Sequence, residues 1–471
     1  MLCIGRKGDK TTLKKIISTV ISAILIPGLL CGCAQDAQKK PAASSDKEQT
    51  VITIAGPWEE SSAIEALSAD FTKANPNCRV EYEYVQNYYD SLEKRLAQSD
   101  SGIDLFVTTN LQSKSPLKPY ALELFSQKDK LDLSGTFEGL IQNFTYMDTD
   151  KTAAAQIYAV PFGAEIRGLY VNKTLLSSLG IAVPENRTQL LNACEKLKQA
   201  GYTPFQGNPG SFGQWLMYPY ICNMIANSAD YSKIYARINS REAGISEFFR
   251  EPMQFVYDIV AKDYYNYKAV ENKYGFFTDG GIDVSARAFL NITGTDGNYK
   301  KTDDTGVVAF MPGPMSMDNT ISKLKDDYHS GIDYEFILAP TGDDGGYAYM
   351  SPSDGIAVNK NSKHIDLALK YMNFLFTPQN NKAFAQNDNI TPNTSDAFEQ
   401  IKGKFKISDD HISQLGKVTF DYAFYSVINE TIIEISKSNN PKYMIDNGNG
   451  TYSMYPFEHY MENFEARFQK K

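Results

Sequence analysis

Between Val51 and Thr108, short β-type runs alternate with amphipathic stretches, and this alternation restricts the fold more than any other pattern in the chain. Val51 to Ala55 is a β run. Ser62-Ala63-Ile64-Glu65 forms a capping box that opens a helix, with Ile64, Leu67 and Phe71 on one face and a stop near Asn75-Pro76-Asn77. Val80 to Val85 is a second strand. Tyr88 to Gln98 is a second helix, with Tyr89, Leu92 and Leu96 aligned on its apolar face. Asp100-Ser101-Gly102 breaks it, and Ile103 to Thr108 is a third strand. Strands alternating with helices predict parallel βαβ units with right-handed crossovers. Ligands of such sheets sit beyond the C-terminal ends of the strands. Trp58, Glu59 and Glu60 follow the first strand, and Thr109 and Asn110 follow the third.

A second informative stretch runs from Ile157 to Lys173. Two β-type runs, Ile157 to Val160 and Ile166 to Val171, flank Pro161, Phe162 and Gly163. Pro161 fixes its own φ and drives Val160 towards extended geometry, while Gly163 accepts angles closed to other residues. Pro161 to Ala164 is therefore a bend between two strands. Glu165, at the start of the second strand, is either a binding group in a cleft or half of an ion pair with Arg167; side chains two apart in a strand share a face.

This stretch resembles the first crossing between lobes in the extracellular solute-binding proteins of ABC sugar importers, the class that includes maltose-binding protein. Tyr158, Ala159, Pro161, Tyr170, Asn172 and Lys173 carry the likeness. Phe71 to Asn77 followed by a strand, and Ser101-Gly-Ile-Asp-Leu-Phe106, are similar to the family's opening unit. Asp333 to Leu338 with Ala339-Pro340 resembles a second crossing. Gly355 to Asn359, Asn361 to Asp366 and the helix to Phe376 resemble the strand, cap and helix that follow it. The likeness covers roughly residues 50 to 440. One departure stands at Met315, in Met311-Pro-Gly-Pro-Met-Ser316, where the family commonly has a sugar-stacking tryptophan.

The N-terminus reads as an export signal. Arg6, Lys7, Lys10, Lys14 and Lys15 form a basic region, and Ile16 to Leu30 is an apolar segment too short to span a membrane comfortably. Leu30-Cys31-Gly32-Cys33 has the pattern of a lipobox, which makes Cys33 the expected lipidated residue. An ordinary secretory signal or an uncleaved anchor is the alternative. Residues 33–49 read as a flexible tether. Residues 1–32 carry five bases and one acid, so removing them takes the net charge from −9 to −13. That acidity argues against a nucleic-acid partner. Cys78, Cys194 and Cys222 then remain, an odd number that excludes a disulfide scaffold, and Cys194 shares an apolar helix face with Leu190, Leu191 and Leu197.

Phe212 to Asn227 is a dense aromatic helix containing Trp215, one of only two tryptophans. A buried core helix explains the run as a whole, and Trp215 near its start is the ligand candidate within it. Aromatic side chains suit sugars, because a ring covers a C–H face. The Ser351-Pro-Ser-Asp-Gly355 turn presents Asp354 just before a strand. The four histidines, 329, 364, 411 and 459, are scattered and give no metal-ligand spacing. No nucleophile elbow or phosphate loop is present. Asp148-Thr-Asp150 lacks the glycine and closing glutamate of a calcium loop.

The expected protein is α/β, with a two-lobed periplasmic-binding-protein-like fold, an interlobe hinge and a cleft. The signal is residues 1–32, the first lobe 50–162 plus 341–380, and the second 163–340 plus 381–471. Trp58, Glu60, Asn110, Glu165, Arg167, Trp215 and Asp354 are the expected ligand-binding residues, with no catalytic group, metal or cofactor. The resemblance implies a monomeric binder, not an enzyme. It would be lipid-anchored on the outer face of a bacterial cell membrane and deliver a carbohydrate to an ABC permease. A secreted glycoside hydrolase is the alternative, since Glu59, Glu60, Glu165 and Asp354 could line one cleft. A surface sugar-binding module without a transporter is a third reading.

Overall fold

The computed structural model describes residues 49–57, 62–108, 115–133, 156–161, 163–206, 209–265, 307–347, 349–352, 354–377 and 422–470, with short pieces at 135–136, 140–141, 145–146, 286–287, 289–292, 379–380, 399, 401–403 and 405. Its strands form two main sheets. The first contains β1 (Thr50–Gly56), β2 (Cys78–Tyr84), β3 (Leu105–Thr108), β4 (Val160–Pro161) and β10 (Gly355–Val358), in the order β2-β1-β3-β10-β4. The strands β1, β2 and β3 are parallel, joined by α1 (Ser62–Ala74) and α2 (Tyr88–Leu96), as the alternating pattern requires. Ile64, Leu67 and Phe71 of α1 are buried against this sheet together with Tyr371 and Leu375 of the helix Ile365–Leu375.

The second sheet contains β5 (Ala164–Asn172), β6 (Thr203–Phe205), β7 (Val308–Pro314), β8 (Tyr334–Leu338) and β9 (Tyr349–Pro352), in the order β8-β5-β7-β6 with β9 also paired to β5. The helix Pro209–Ala226, with Phe212, Leu216 and Met217 buried, packs in the same core as Leu169 and Val171 of β5. The C-terminal helices Tyr422–Lys437 and Phe457–Lys470 bury Ile428, Ile432 and Phe464 in that core too. Two mixed α/β sheets, each with its own core, make a bilobed protein.

The chain passes between the sheets at two adjoining places. On the outward pass, β4 ends at Pro161, opposite Gly355, and β5 starts at Ala164, opposite Pro352. On the return pass, β9 ends at Pro352 and β10 starts at Gly355. The return crossing therefore lies between Pro352 and Gly355, whereas the sequence suggests a return near Pro340. After Pro340 the chain makes one more antiparallel strand on β5, with Tyr349 opposite Arg167 and Ser351 opposite Glu165.

Two local readings need correction. The apolar face of α2 is Tyr88, Leu92 and Leu96, and Tyr89 points outward, 45% exposed. The Tyr88 hydroxyl decides this, lying 2.9 Å from the Ala55 carbonyl oxygen and 2.6 Å from that of Val107, where it donates to strand-end acceptors. The strand β7 also runs further than its sequence suggests, through Pro312, Gly313 and Pro314. Gly313 faces Gly168 on β5 and makes room for the Tyr170 ring, which a Cβ at 313 would meet at 3.0 Å. Cys194 lies in the second core as expected, and Cys78, Cys194 and Cys222 are all buried thiols outside any disulfide. The Asp148–Asp150 turn lies outside the described residues.

Candidate functional site

The strand β5 presents two different faces. Ala164 and Ile166 are buried with Leu140, Met315, Leu338 and Met350, while Leu169 and Val171 face the core under the helix Pro209–Ala226. Glu165 and Arg167 share the face of Leu169 and Val171, but lie at the end nearest the crossing. Polar side chains thus replace apolar ones where the strand leaves its core and approaches the other lobe.

The side chains of Glu165 and Arg167 are only 15% and 22% exposed, so their charges need partners. Arg167 Nη2 lies 3.1 Å from Glu165 Oε2. Ser316 donates its hydroxyl to Glu165 Oε1. The Arg167 guanidinium lies 5.4 Å from the centre of the Trp215 ring, in cation–π range. Trp215 is half-buried, and its indole N–H has no acceptor among the described residues. Pro219, four residues on in the same helix, has no N–H to give the Trp215 carbonyl. This turn of helix therefore holds an unpaired donor and an acceptor deprived of its usual helical bond.

Asp354 reaches the site from the return crossing. It is half-buried, and desolvation pushes its pKa up to about 8, with the Glu165 charge adding to the shift. Burial likewise holds the Tyr88 hydroxyl protonated, and Asp354 is among the charges that reach it. Asp354 thus stands in electrostatic contact with both lobes: Glu165 on β5 and Tyr88 at the edge of the first sheet. Glycoside hydrolases also set two carboxyl groups in different environments. Here, however, the Glu165 oxygens are engaged by Ser316 and Arg167.

Four of the seven expected ligand residues are thus described: Glu165, Arg167, Trp215 and Asp354. Contacts join the first three, and electrostatic proximity joins Asp354 to Glu165. Trp58, Glu60 and Asn110 lie outside the described residues, as does Cys33. Ser316 was missed; its only sequence signal is its place just after the β7 strand. Met315, at the position where a stacking aromatic is common, is 3% exposed and packs into the core beside Ile166. A cavity of about 500 Å³ is lined by Met315, Asp318, Tyr334, Phe336 and Phe405, among others. Among the described residues, its lining includes none of Glu165, Arg167, Trp215 and Asp354. Among the described residues there is no cluster of three or more potential metal ligands, and no helix is long and apolar enough to cross a membrane.

Of the residues that carried the sequence resemblance, Tyr170 acts on the site, while Asn172 and Lys173 secure the far end of β5. The Tyr170 hydroxyl lies 2.9 Å from the Pro314 carbonyl oxygen and 3.0 Å from that of Met315, and so pins the turn that carries Ser316. Asn172 caps the next helix by accepting from the Leu175 N–H at 2.9 Å. Lys173 pairs with Asp333 at 3.2 Å.

Two sheets joined by paired crossing strands, with polar and aromatic groups gathered at the crossing, define a two-lobed binding protein. Residues 55–382 match the model of the bacterial extracellular solute-binding protein family, and the chain belongs to that family. Its fold and family are those of non-catalytic binders. Over 180 residues the chain is 26% identical to the melibiose/raffinose/stachyose-binding protein MelE of Bacillus subtilis, covering 38% of this chain and 39% of MelE. The chain thus spans about two-fifths of the length of the curated relatives it matches. Among solved structures, a family 1 extracellular solute-binding protein from Bifidobacterium longum subsp. infantis superposes with a TM-score of 0.60 at 16% identity, covering 90% of this chain and 100% of that one. A sugar transporter from Rhizobium etli in an open conformation gives 0.59 at 17% identity, covering 89% and 99%. Both are likenesses of fold.

Proposed function

We propose that this protein is an extracellular solute-binding lipoprotein that captures a carbohydrate, an oligosaccharide, in the cleft between its lobes and delivers it to an ABC permease. The observation that carries this reading is the convergence of Glu165, Arg167, Trp215 and Asp354 where the chain crosses between sheets. A sugar needs charged or amide groups for its hydroxyls and an aromatic ring for its C–H face. The sugars in the name of MelE, of which only a part is matched, support the same class of ligand. The lobes would be residues 50–162 with the chain from Gly355 to 380, and residues 163–352 with 381–471. Closure would be a hinge motion at the two crossings, favoured by contacts that only the closed state completes. Diacylglyceryl modification of Cys33 would hold the protein at the outer face of the membrane through the 33–49 tether.

A thermal-shift screen against monosaccharides, raffinose, stachyose, malto-oligosaccharides and xylo-oligosaccharides tests the ligand class. A ligand that binds only the native state raises the melting temperature by mass action. Stabilisation by amino acids or peptides, with none by any sugar, would refute it. Cell fractionation tests the anchor: Cys33→Ser is expected in the medium, and its retention in the membrane would favour an uncleaved signal anchor.

A further inference from the structure

Among the described residues Tyr84 and Tyr89, 40% and 45% exposed, are two of five exposed large hydrophobic side chains, and they stand five positions apart. Both flank one turn, Tyr84 ending β2 and Tyr89 in the first turn of α2. This turn lies on the edge of the first sheet that faces the crossing. Gly56 at the end of β1 is opposite Tyr84, and Thr108 at the end of β3 is opposite Gly355, which follows the return crossing. The turn is also fixed in place. Val85 N–H donates to the Gly56 carbonyl at 2.9 Å, Asn87 takes a positive φ of 49°, and Tyr88 is tied to the ends of β1 and β3. The Tyr88 and Tyr89 rings meet edge to face with centroids 5.3 Å apart. Aromatic surface held rigid before binding loses little freedom on meeting a ligand.

The order β2-β1-β3-β10 puts three strand spacings, about 14 Å, between β2 and the strand that follows Asp354. We propose that Tyr84 and Tyr89 form an outer stacking subsite at the β2 edge of the cleft, so that the ligand is an oligosaccharide reaching from the Glu165–Trp215 site to this edge. The proposal rests on the carbohydrate reading above and adds a length requirement to it. A single sugar ring is too short to touch both ends. Each tyrosine offers a ring face to sugar C–H groups and a hydroxyl to the rim of the ring.

Calorimetric titration of the full chain with glucose, maltose, maltotriose and maltotetraose, and with sucrose, raffinose and stachyose, tests this. The wild-type protein should bind the longer members of a series more tightly than the shortest. Tyr84→Ala and Tyr89→Ala should weaken binding of the tri- and tetrasaccharides about 3- to 10-fold each and leave the disaccharide unchanged. Tyr89→Phe, which keeps the ring, should retain most of the affinity. Unchanged binding of every length by both alanine variants would overturn the subsite while leaving the carbohydrate reading intact, and so would an equal loss at every length. If the wild-type protein binds neither these sugars nor any other in the thermal-shift panel, the carbohydrate reading fails and the subsite falls with it.

Discussion

On the second-lobe side of the crossing the polar groups are matched to one another: Glu165 accepts from Ser316 and pairs with Arg167, and Arg167 lies over Trp215. On the first-lobe side, Tyr84 and Tyr89 stand exposed, while Asp354 on the return crossing is desolvated beside a like charge. The second lobe thus presents a polar cluster whose geometry is set by its own contacts, and the first lobe presents two exposed tyrosine rings. A ligand gains orientation from the first kind of surface and contact area from the second. Under the proposed function, dividing these tasks between lobes would let opening separate the two sets of contacts at once.

Removing the centre of the polar cluster should have the largest effect. Glu165→Ala is expected to weaken sugar binding by about 2–3 kcal/mol, the scale of hydrogen bonds to a charged group. It should also lower the stability of the unliganded protein, because Arg167 loses its partner while remaining largely buried. Glu165→Gln keeps an acceptor for Ser316 and should restore part of the stability. If calorimetry finds affinity unchanged in Glu165→Ala while denaturation shows lost stability, the pair is structural and the polar side of the comparison collapses.

Asp354→Asn should have a smaller effect, of opposite sign. The Asp354 pKa lies at about 8 in the folded protein, above the unfolded value of about 3.9. Between these values the native state keeps a proton that the unfolded chain has lost, so this group lowers native stability progressively as pH rises from about 4 to about 8. Asparagine has no such proton to lose. The variant should match the wild type near pH 4 and exceed it by about 1–2 kcal/mol at pH 8, less than the full shift implies because the side chain is partly solvated. Urea midpoints at pH 4.5, 6 and 8 would show it. A constant difference across this range would mean that Asp354 keeps an ordinary pKa, removing the imbalance assigned to the crossing.

Much of the fold was legible because its determinants are local. The capping box at Ser62, the Pro161–Gly163 bend and the alternation of β5 each act over a few residues, and the structure reproduces the elements they predict. What sequence could not reveal depended on contacts between distant segments. Tyr88 and Tyr89 are chemically equal candidates for the apolar face of α2, and only the carbonyl ends of β1 and β3 choose Tyr88. The return crossing looked complete at Ala339-Pro340, but pairing of Tyr349–Pro352 with β5 holds the chain in the second sheet. Glu165 and Arg167 were recognisable as one strand face. The hydroxyl of Ser316, 151 residues later, was not.

The smallest expected effect tests whether the polar cluster depends on the core beneath it. Tyr170 is fully buried, with its ring 4.9 Å from that of Phe336 and its hydroxyl between the carbonyls of Pro314 and Met315. Tyr170→Phe keeps the ring and removes the donor. Two buried carbonyls would then share one hydrogen bond fewer, at a cost of about 1 kcal/mol in stability. The turn after β7 would also lose the bond that fixes Ser316 against Glu165. Affinity for a bound sugar should fall only about 2- to 3-fold, since Arg167 still holds Glu165. Ser316→Ala should produce a similar fall in affinity, and the double variant should lose little more than either alone, because both act through the same contact. Fully additive losses would mean that Tyr170 supports the core independently of the site, and that the order on the polar side comes from the β5 strand alone.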